Sequence, residues 1–389
     1  MNRRWLGFRS ICLAAVLLGS VAATVQHAAA VVSLRISPVL VAISATPGAT
    51  GSQALTVVNE GDVPVDLTVG IETYQTATGD WSAQDWLAVD QSRVALAPGE
   101  DAAITVTLQV PDDVASGGRY ALITFTTGPH QSAEPGVAIT GKLGAAILIA
   151  VEGDGALASD VAIERFGPVL EPDGRIGFRA QLSNDGNLHA LPAGRVEVKS
   201  VEGDPLGQLD LPMTTPLLPD GEVEMTAQGS LPLPAGERYL ARATINVGGG
   251  ASITAETEFS PEALVAVERT TVCENLDRGP TATLLLRNDG TLGLQPLLQI
   301  GVQDAAGSAH GAPVATTAPM LWPGDAGELR VDLPTRLTSG AYTLTVRVDY
   351  AAPDAQGRTA LPPLEQQTTF AIGGLGPDAA PLCPPSTGA

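Results

Sequence analysis

An all-β chain of three tandem antiparallel β-sandwiches is what this sequence predicts, and three observations carry that prediction. A strand-like segment ending in Asn-x-Gly occurs three times. Roughly forty residues after each copy comes a Pro-Gly or Pro-Asp-Gly turn, and beyond that a Gly shortly before a Tyr opens a further strand. Composition agrees: 44% of the residues are hydrophobic, enough for cores, while aromatics are only 4% and Gly (43) and Pro (30) are plentiful. Such a mix suits short strands with many turns. At about 100–150 residues per domain, the 389 residues predict about three domains.

Residues 1–30 read as a signal peptide. They begin with Arg3, Arg4 and Arg9, continue through an apolar stretch from Ile11 to Val25, and end in Ala28-Ala29-Ala30. The apolar run is too short for a membrane span and finishes in small residues. The segment holds three basic residues and no acidic one, so its removal takes the formal net charge from −21 to −24. That acidity makes nucleic acid and anionic lipid poor partners and favours solubility outside the cell. No second apolar segment of spanning length follows, so the mature chain is expected not to span a membrane.

The first recurring signal appears as Leu55-Thr56-Val57-Val58-Asn59-Glu60-Gly61, Ala180-Gln181-Leu182-Ser183-Asn184-Asp185-Gly186 and Leu284-Leu285-Leu286-Arg287-Asn288-Asp289-Gly290. Asn caps its own turn through nearby backbone groups, and Gly supplies the freedom the turn needs, so each copy is a strand-to-turn junction. The second signal is Leu96-Ala97-Pro98-Gly99-Glu100, Leu218-Pro219-Asp220-Gly221-Glu222 and Leu321-Trp322-Pro323-Gly324-Asp325. Pro at the first central position is turn chemistry. In the first unit it leads into Ile104–Val110, where apolar and polar residues alternate with the period of a half-buried strand. The same period runs through Val65, Leu67, Val69 and Ile71, and through Leu344, Val346 and Val348. No segment has a helical period.

The third signal is Gly118-Arg119-Tyr120, Gly236-Glu237-Arg238-Tyr239 and Gly340-Ala341-Tyr342. A Tyr at the start of the sixth strand of an immunoglobulin-like sandwich bonds back to upstream backbone, so Tyr120, Tyr239 and Tyr342 are expected as structural corner tyrosines. Offsets between copies are 125, 121 and 119 residues from first to second, and 104, 104 and 103 from second to third. Three turn signals moving together mark internal repeats. The division expected is a signal peptide 1–30, immunoglobulin-like units 31–153, 154–259 and 260–374, and a flexible tail 375–389.

With these motifs in hand, the second and third units resemble bacterial surface immunoglobulin-like families, such as the cell-adhesion-related domain found in bacteria and the related domain attached to secreted glycosidases. The first unit, with Arg35-Ile36-Ser37-Pro38 on its first strand and Asn59-Glu60-Gly61-Asp62-Val63-Pro64 at its turn, resembles the N-terminal domain of periplasmic pilus chaperones. It is also similar to the peptidoglycan-binding domain of WxL surface proteins. The chaperone resemblance implies a client carboxylate anchored by Arg35 on the first strand and Lys142 on the last, with that last strand lent to the client. Ala145–Val151, which follows Lys142, is an apolar run able to pair with a partner strand or to lie buried.

Enzyme motifs are missing: no Gly-x-Ser-x-Gly elbow, phosphate-cradling glycine loop or paired-histidine helix occurs. No cofactor or metal is predicted. His130, His189 and His310 fall one per unit in loop-like surroundings and read as solvated. Glu152, Asp154 and Asp160, at the junction of the first two units, match no calcium loop. Trp81 and Trp86 form either a platform for sugar or protein or a half-buried cover on the sandwich edge. Cys273 and Cys383 are the two cysteines after the leader, an even pair that predicts a disulfide from the start of the third unit to the tail. On the chain-entropy model such a bridge stabilises by about 4–5 kcal/mol. The alternative is a mobile tail whose Cys383 pairs with another molecule.

The sequence therefore predicts an exported, non-catalytic protein of the extracellular space, cell surface or periplasm. Its units would act as spacers and interaction modules for cell-wall polymer or a surface protein, with any specific contact in the first unit. The alternative is an assembly chaperone that donates a strand from that unit.

Overall fold

The computed structural model describes residues 32–75, 77–128, 130–131, 138–274, 279–333, 337–350, 361–373 and 379–383. The predicted signal peptide and most of the predicted tail lie outside them. The described chain is all-β and folds as immunoglobulin-like sandwiches, as the alternating segments and turn signals require. Among the described residues no helix is long and apolar enough to cross a membrane.

The first eleven strands are β1 (Leu34–Ser37), β2 (Leu40–Ala45), β3 (Thr50–Asn59), β4 (Val65–Glu72), β5 (Leu87–Val89), β6 (Arg93–Leu96), β7 (Asp101–Gln109), β8 (Gly117–Thr127), β9 (His130–Gln131), β10 (Ala138–Ile139) and β11 (Lys142–Val151). One sheet has the order β1-β3-β7-β5 and the facing sheet β2-β11-β8-β4-β6. One pair departs from the expected antiparallel pattern: β2 runs parallel to β11, with Leu40 opposite Ala146 and Ala45 opposite Val151. The first strand is thus split, its opening part Leu34–Ser37 pairing with β3 in one sheet and its continuation with β11 in the other. The Trp81–Trp86 insertion also departs from expectation, forming two single-turn 3₁₀ helices, Gly79–Trp81 and Gln84–Trp86.

Seven strands follow as β12 (Val161–Leu170), β13 (Ile176–Asn184), β14 (Ala193–Ser200), β15 (Pro205–Leu211), β16 (Gly221–Thr226), β17 (Tyr239–Gly248) and β18 (Ala251–Phe259). The next seven are β19 (Val265–Cys273), β20 (Thr281–Asn288), β21 (Leu297–Asp304), β22 (Val314–Thr317), β23 (Ala326–Asp332), β24 (Gly340–Asp349) and β25 (Leu364–Ile372). Both sets have one topology: β12-β13-β16 faces β15-β14-β17-β18, and β19-β20-β23 faces β22-β21-β24-β25. Even the irregularity is copied, with the register slipping between Ile163 and Arg165 and again between Val267 and Arg269.

A buried asparagine clasps each unit. Asn59, Asn184 and Asn288 are fully buried, and each makes the turn bond expected of it, its Oδ1 accepting from the N–H of Gly61, Gly186 or Gly290 at 2.9–3.1 Å. Its Nδ2 does more. In Asn59 it donates to Val63 O (2.8 Å) and Leu96 O (3.2 Å), in Asn184 to Leu188 O (2.9 Å) and Leu217 O (3.3 Å), and in Asn288 to Leu292 O (2.7 Å) and Leu321 O (2.8 Å). The backbone oxygen of each Asn accepts from the residue after the motif proline, Gly99, Asp220 or Gly324. That residue has φ of +77°, +55° and +81°, a region where glycine is at ease and Asp220 is tolerated. The first two sequence motifs are therefore the two halves of one hydrogen-bonded clasp.

A buried side chain with three such bonds cannot be truncated without stranding its partners. At about 0.5–1.5 kcal/mol net per bond, Asn288→Ala is expected to lower the stability of the third unit by about 2–4 kcal/mol. Urea denaturation followed by a probe in that unit checks the figure, and a change below about 0.5 kcal/mol contradicts the clasp.

Candidate functional site: an open strand edge and a clamped junction

The last strand of the first unit, β11, explains the apolar run that did not alternate. Its odd-numbered residues Ala145, Ile147, Ile149 and Val151 enter the sandwich core beside Val41, Leu55 and Val106. Its even-numbered residues Ala146 and Leu148 enter a second cluster with Tyr120, Ala77 and, from the next unit, Leu218. Each face of the strand thus has its own apolar partner, and alternation vanishes.

The two halves of β11 have different neighbours. β8 lines the whole strand, from Lys142 opposite Thr126 to Val151 opposite Gly117. On the other side β2 covers only Ala146–Val151, because Pro38 has no N–H to donate and the chain there passes to the opposite sheet. The N–H of Ala146 points to this side and donates to Val39 O at 2.9 Å. Backbone groups alternate along a strand, so those of Gly144 and Lys142 point the same way, where no described strand pairs with them.

Two apolar side chains mark this open edge. Val39 and Leu143 have the same parity as the core rows Val41-Ile43 and Ala145-Ile147, yet they are 65% and 38% exposed. They are core positions that the sandwich itself does not finish covering. Such an edge, with unpaired backbone groups and flanking apolar residues, is the template for β-strand addition.

Arg35 and Lys142 occupy the start of β1 and of β11, on opposite sheets. Each is held by its own carboxylate: Arg35 Nε lies 2.6 Å from Glu60 Oε1 and Lys142 Nζ 2.6 Å from Glu72 Oε2. The hydrogen bond from Lys142 holds the Glu72 carboxyl below its ordinary value. All four side chains are about half exposed, so each pair contributes at most about 1 kcal/mol and is screened by salt. The structure gives the two cations no shared partner.

Trp81 and Trp86 flank a residue that sequence reasoning missed. The Arg119 guanidinium lies 5.9 Å from the Trp81 ring centre and 5.8 Å from that of Trp86, so one face of each indole is taken by a cation. Arg119 is only 6% exposed. It donates to Gly118 O (2.7 Å) and Ala115 O (3.2 Å). Burial pushes its pKa down from the ordinary value, with Asp80 and Tyr120 acting the other way, but a guanidinium stays charged. Only the doublet Gly117-Gly118 in front of it sets this copy of the motif apart in sequence.

Tyr239 and Tyr342 sit at corners of their own units, donating to Pro234 O (3.1 Å) and Thr338 O (2.9 Å), five and four residues upstream. Tyr120 is placed differently. It is fully buried, its Oη accepts the backbone N–H of His189 in the second unit at 2.9 Å, and burial raises its pKa. Beside it, Gly118 N–H donates to Asn187 O (2.7 Å) and Tyr74 Oη meets Thr215 Oγ1 (3.4 Å). His189 accordingly departs from the solvated loop position expected of it. Tyr120 belongs to the junction of two units.

Cys273 and Cys383 are joined in a disulfide that closes a separation of 110 residues, and Glu274 and Leu382 bridge alongside it. His310 packs edge-on to Tyr342 and lies 3.5 Å from Asp304 Oδ2. His130 is in β9, and its side chain lies outside what is described. Among the described residues no group of three or more His, Cys, Asp or Glu comes together that could hold a metal ion, Glu152, Asp154 and Asp160 included.

No protein-family model and no curated protein matches this chain. Among solved structures it is similar to the YadV chaperone, with 9% identity over 58% of this chain and 98% of that one and a TM-score of 0.34. The class 5 fimbriae chaperone CfaA gives 11% identity, 59% and 100% coverage and a TM-score of 0.31. The E. coli chaperone DraB gives 14%, 59% and 97%, and 0.31. At TM-scores of 0.31–0.34 the likeness carries no argument about this chain.

A Cβ added to Gly118 would lie 1.7 Å from Tyr120 Oη and 2.4 Å from its Cζ. Gly118→Ala must therefore expel the Tyr120 ring and is expected to loosen the junction, at the 1–3 kcal/mol or so typical of overpacking. Faster limited proteolysis of the segment around residues 152–160 is the result to look for, and a cleavage rate equal to the parent's contradicts the assignment.

Proposed function

We propose that this chain is an exported, non-catalytic protein that holds a partner protein by strand addition at the open half of β11, as an assembly chaperone for surface subunits does. In this reading residues 31–153 form the binding unit, and the units at 154–259 and 260–374 support it. The observation that carries the reading is the unpaired edge Lys142–Ala145 with Val39 and Leu143 exposed beside it. An incoming strand would satisfy the backbone groups of Lys142 and Gly144 and cover the two apolar side chains. Fully burying such a side chain is worth about 1.5–3 kcal/mol.

Lys142 stands on that edge, bonded to Glu72. A half-exposed pair of this kind exchanges partners at little cost, so an acidic group on the incoming strand has a cation to meet. Trp81 and Trp86 give weaker support to a sugar-binding alternative, since one face of each ring is already on Arg119.

The test compares the full mature chain with a Val39→Glu, Leu143→Glu variant. Both positions are exposed, so the variant is expected to fold and to keep its thermal midpoint. Each protein is offered purified peptidoglycan and, separately, purified surface subunits exported by the same cells. The reading predicts binding of a subunit by the parent and a loss of at least about tenfold in the variant, equivalent to about 1.4 kcal/mol. Binding of peptidoglycan alone, or subunit binding indifferent to the two charges, contradicts it.

A further inference from the structure

We infer that the junction between the first two units is a pH-operated hinge, closed around neutral His189 and loosened when its imidazole takes up a second proton. His189 lies between β13 and β14 and is the residue through which the second unit grips Tyr120. Its backbone N–H donates to Tyr120 Oη at 2.9 Å, and its ring stands edge-on to the Tyr120 ring at 5.6 Å and 83°. The ring atom Nδ1 is buried and has no hydrogen-bond partner. A neutral imidazole can leave one acceptor nitrogen unpaired in apolar surroundings at modest cost. An imidazolium has two N–H donors and a charge to satisfy.

Nδ1 has no hydrogen-bond partner, and no charged group acts on the ring. From β8 it faces Tyr120, and next to Tyr120 stands Arg119, a cation of the same sign. The Tyr120 ring it stands against belongs to the apolar cluster of the junction, with Tyr74 and Ala77 from the segment after β4 and Leu191 and Leu218 from the second unit. Asp80 acts on Arg119. Burial alone lowers the His189 pKa, with no charged group contributing.

The sign follows from linkage. With the junction closed, His189 binds its proton less readily than in the open state, where it returns to the ordinary value near 6.5. The open state therefore binds more protons, and closure gains stability as pH rises. That stability is fully present above about pH 6.5 and is lost as pH falls through the lowered value of the closed state.

Hydrogen exchange on the full mature chain reads the hinge directly, because the His189 amide is itself the donor to Tyr120. Exchange corrected for intrinsic rates is compared at about pH 7.5 and about pH 5, the span in which an ordinary imidazole changes charge. The parent is expected to lose protection of the His189 amide at the lower pH, whereas His189→Phe, which keeps a ring but no titrating nitrogen, keeps it. His189→Gln, neutral at both pH values, serves the same comparison if the phenylalanine disturbs packing. Protection retained by the parent at about pH 5, or lost equally in the neutral variants, overturns the proposal.

Discussion

Three buried asparagines hold this molecule in its repeated form. Each takes the end of one strand, the turn that follows, and the proline-containing turn that comes 35 to 39 residues later, and ties them with one side chain. A buried amide left half-bonded is costly, so the turn sequences at both places are fixed together. This is why Asn-x-Gly and the proline turn move as a pair along the chain. The second unit follows the same geometry while Asp220 stands where the others have glycine, its φ of +55° being within reach of an aspartate.

The first unit keeps the clasp and changes what surrounds it. Splitting its first strand between two sheets closes one end of the sandwich against β2 and leaves the opening half of β11 without a neighbour on that side. The second face of the same strand packs in a cluster that Leu218 of the next unit joins, so the open edge and the junction share one strand. Arg119, clamped between two indoles, and Tyr120, bonded across to His189, hold that element from β8. The open edge and the junction are thus built on adjacent strands of one sheet.

Much of the fold was legible because it is local. Turn residues and period-two alternation are each written within a few residues, and their recurrence in matched order gave three sandwiches without reference to any long-range contact. The first departures come where pairing is non-local. Within Arg35–Ser44 only Pro38 marks a break, and it does not announce that the two halves join different sheets, since both read as strand. Ala145–Val151 looked featureless because both its faces are buried, which erases the period that reading depends on. Tyr120 shares its motif with Tyr239 and Tyr342, but its partner lies 69 residues away in another unit. Trp81 and Trp86 were visible as a pair, whereas the cation between them was not, because Arg119 is remote in sequence. Val39 and Leu143 are ordinary strand residues until the exposure of a core-parity position singles them out.

The central claim is that the first half of β11 is an unfilled place in a sheet. Amide exchange at Lys142 and Gly144, residue by residue, in the free chain and with a bound surface subunit, tests it most directly. The account predicts both amides to exchange freely in the isolated chain while Ala146, bonded to Val39, is protected, and both to become protected when the subunit is bound. Protection of Lys142 and Gly144 in the isolated chain, or free exchange that persists in the complex, would contradict it.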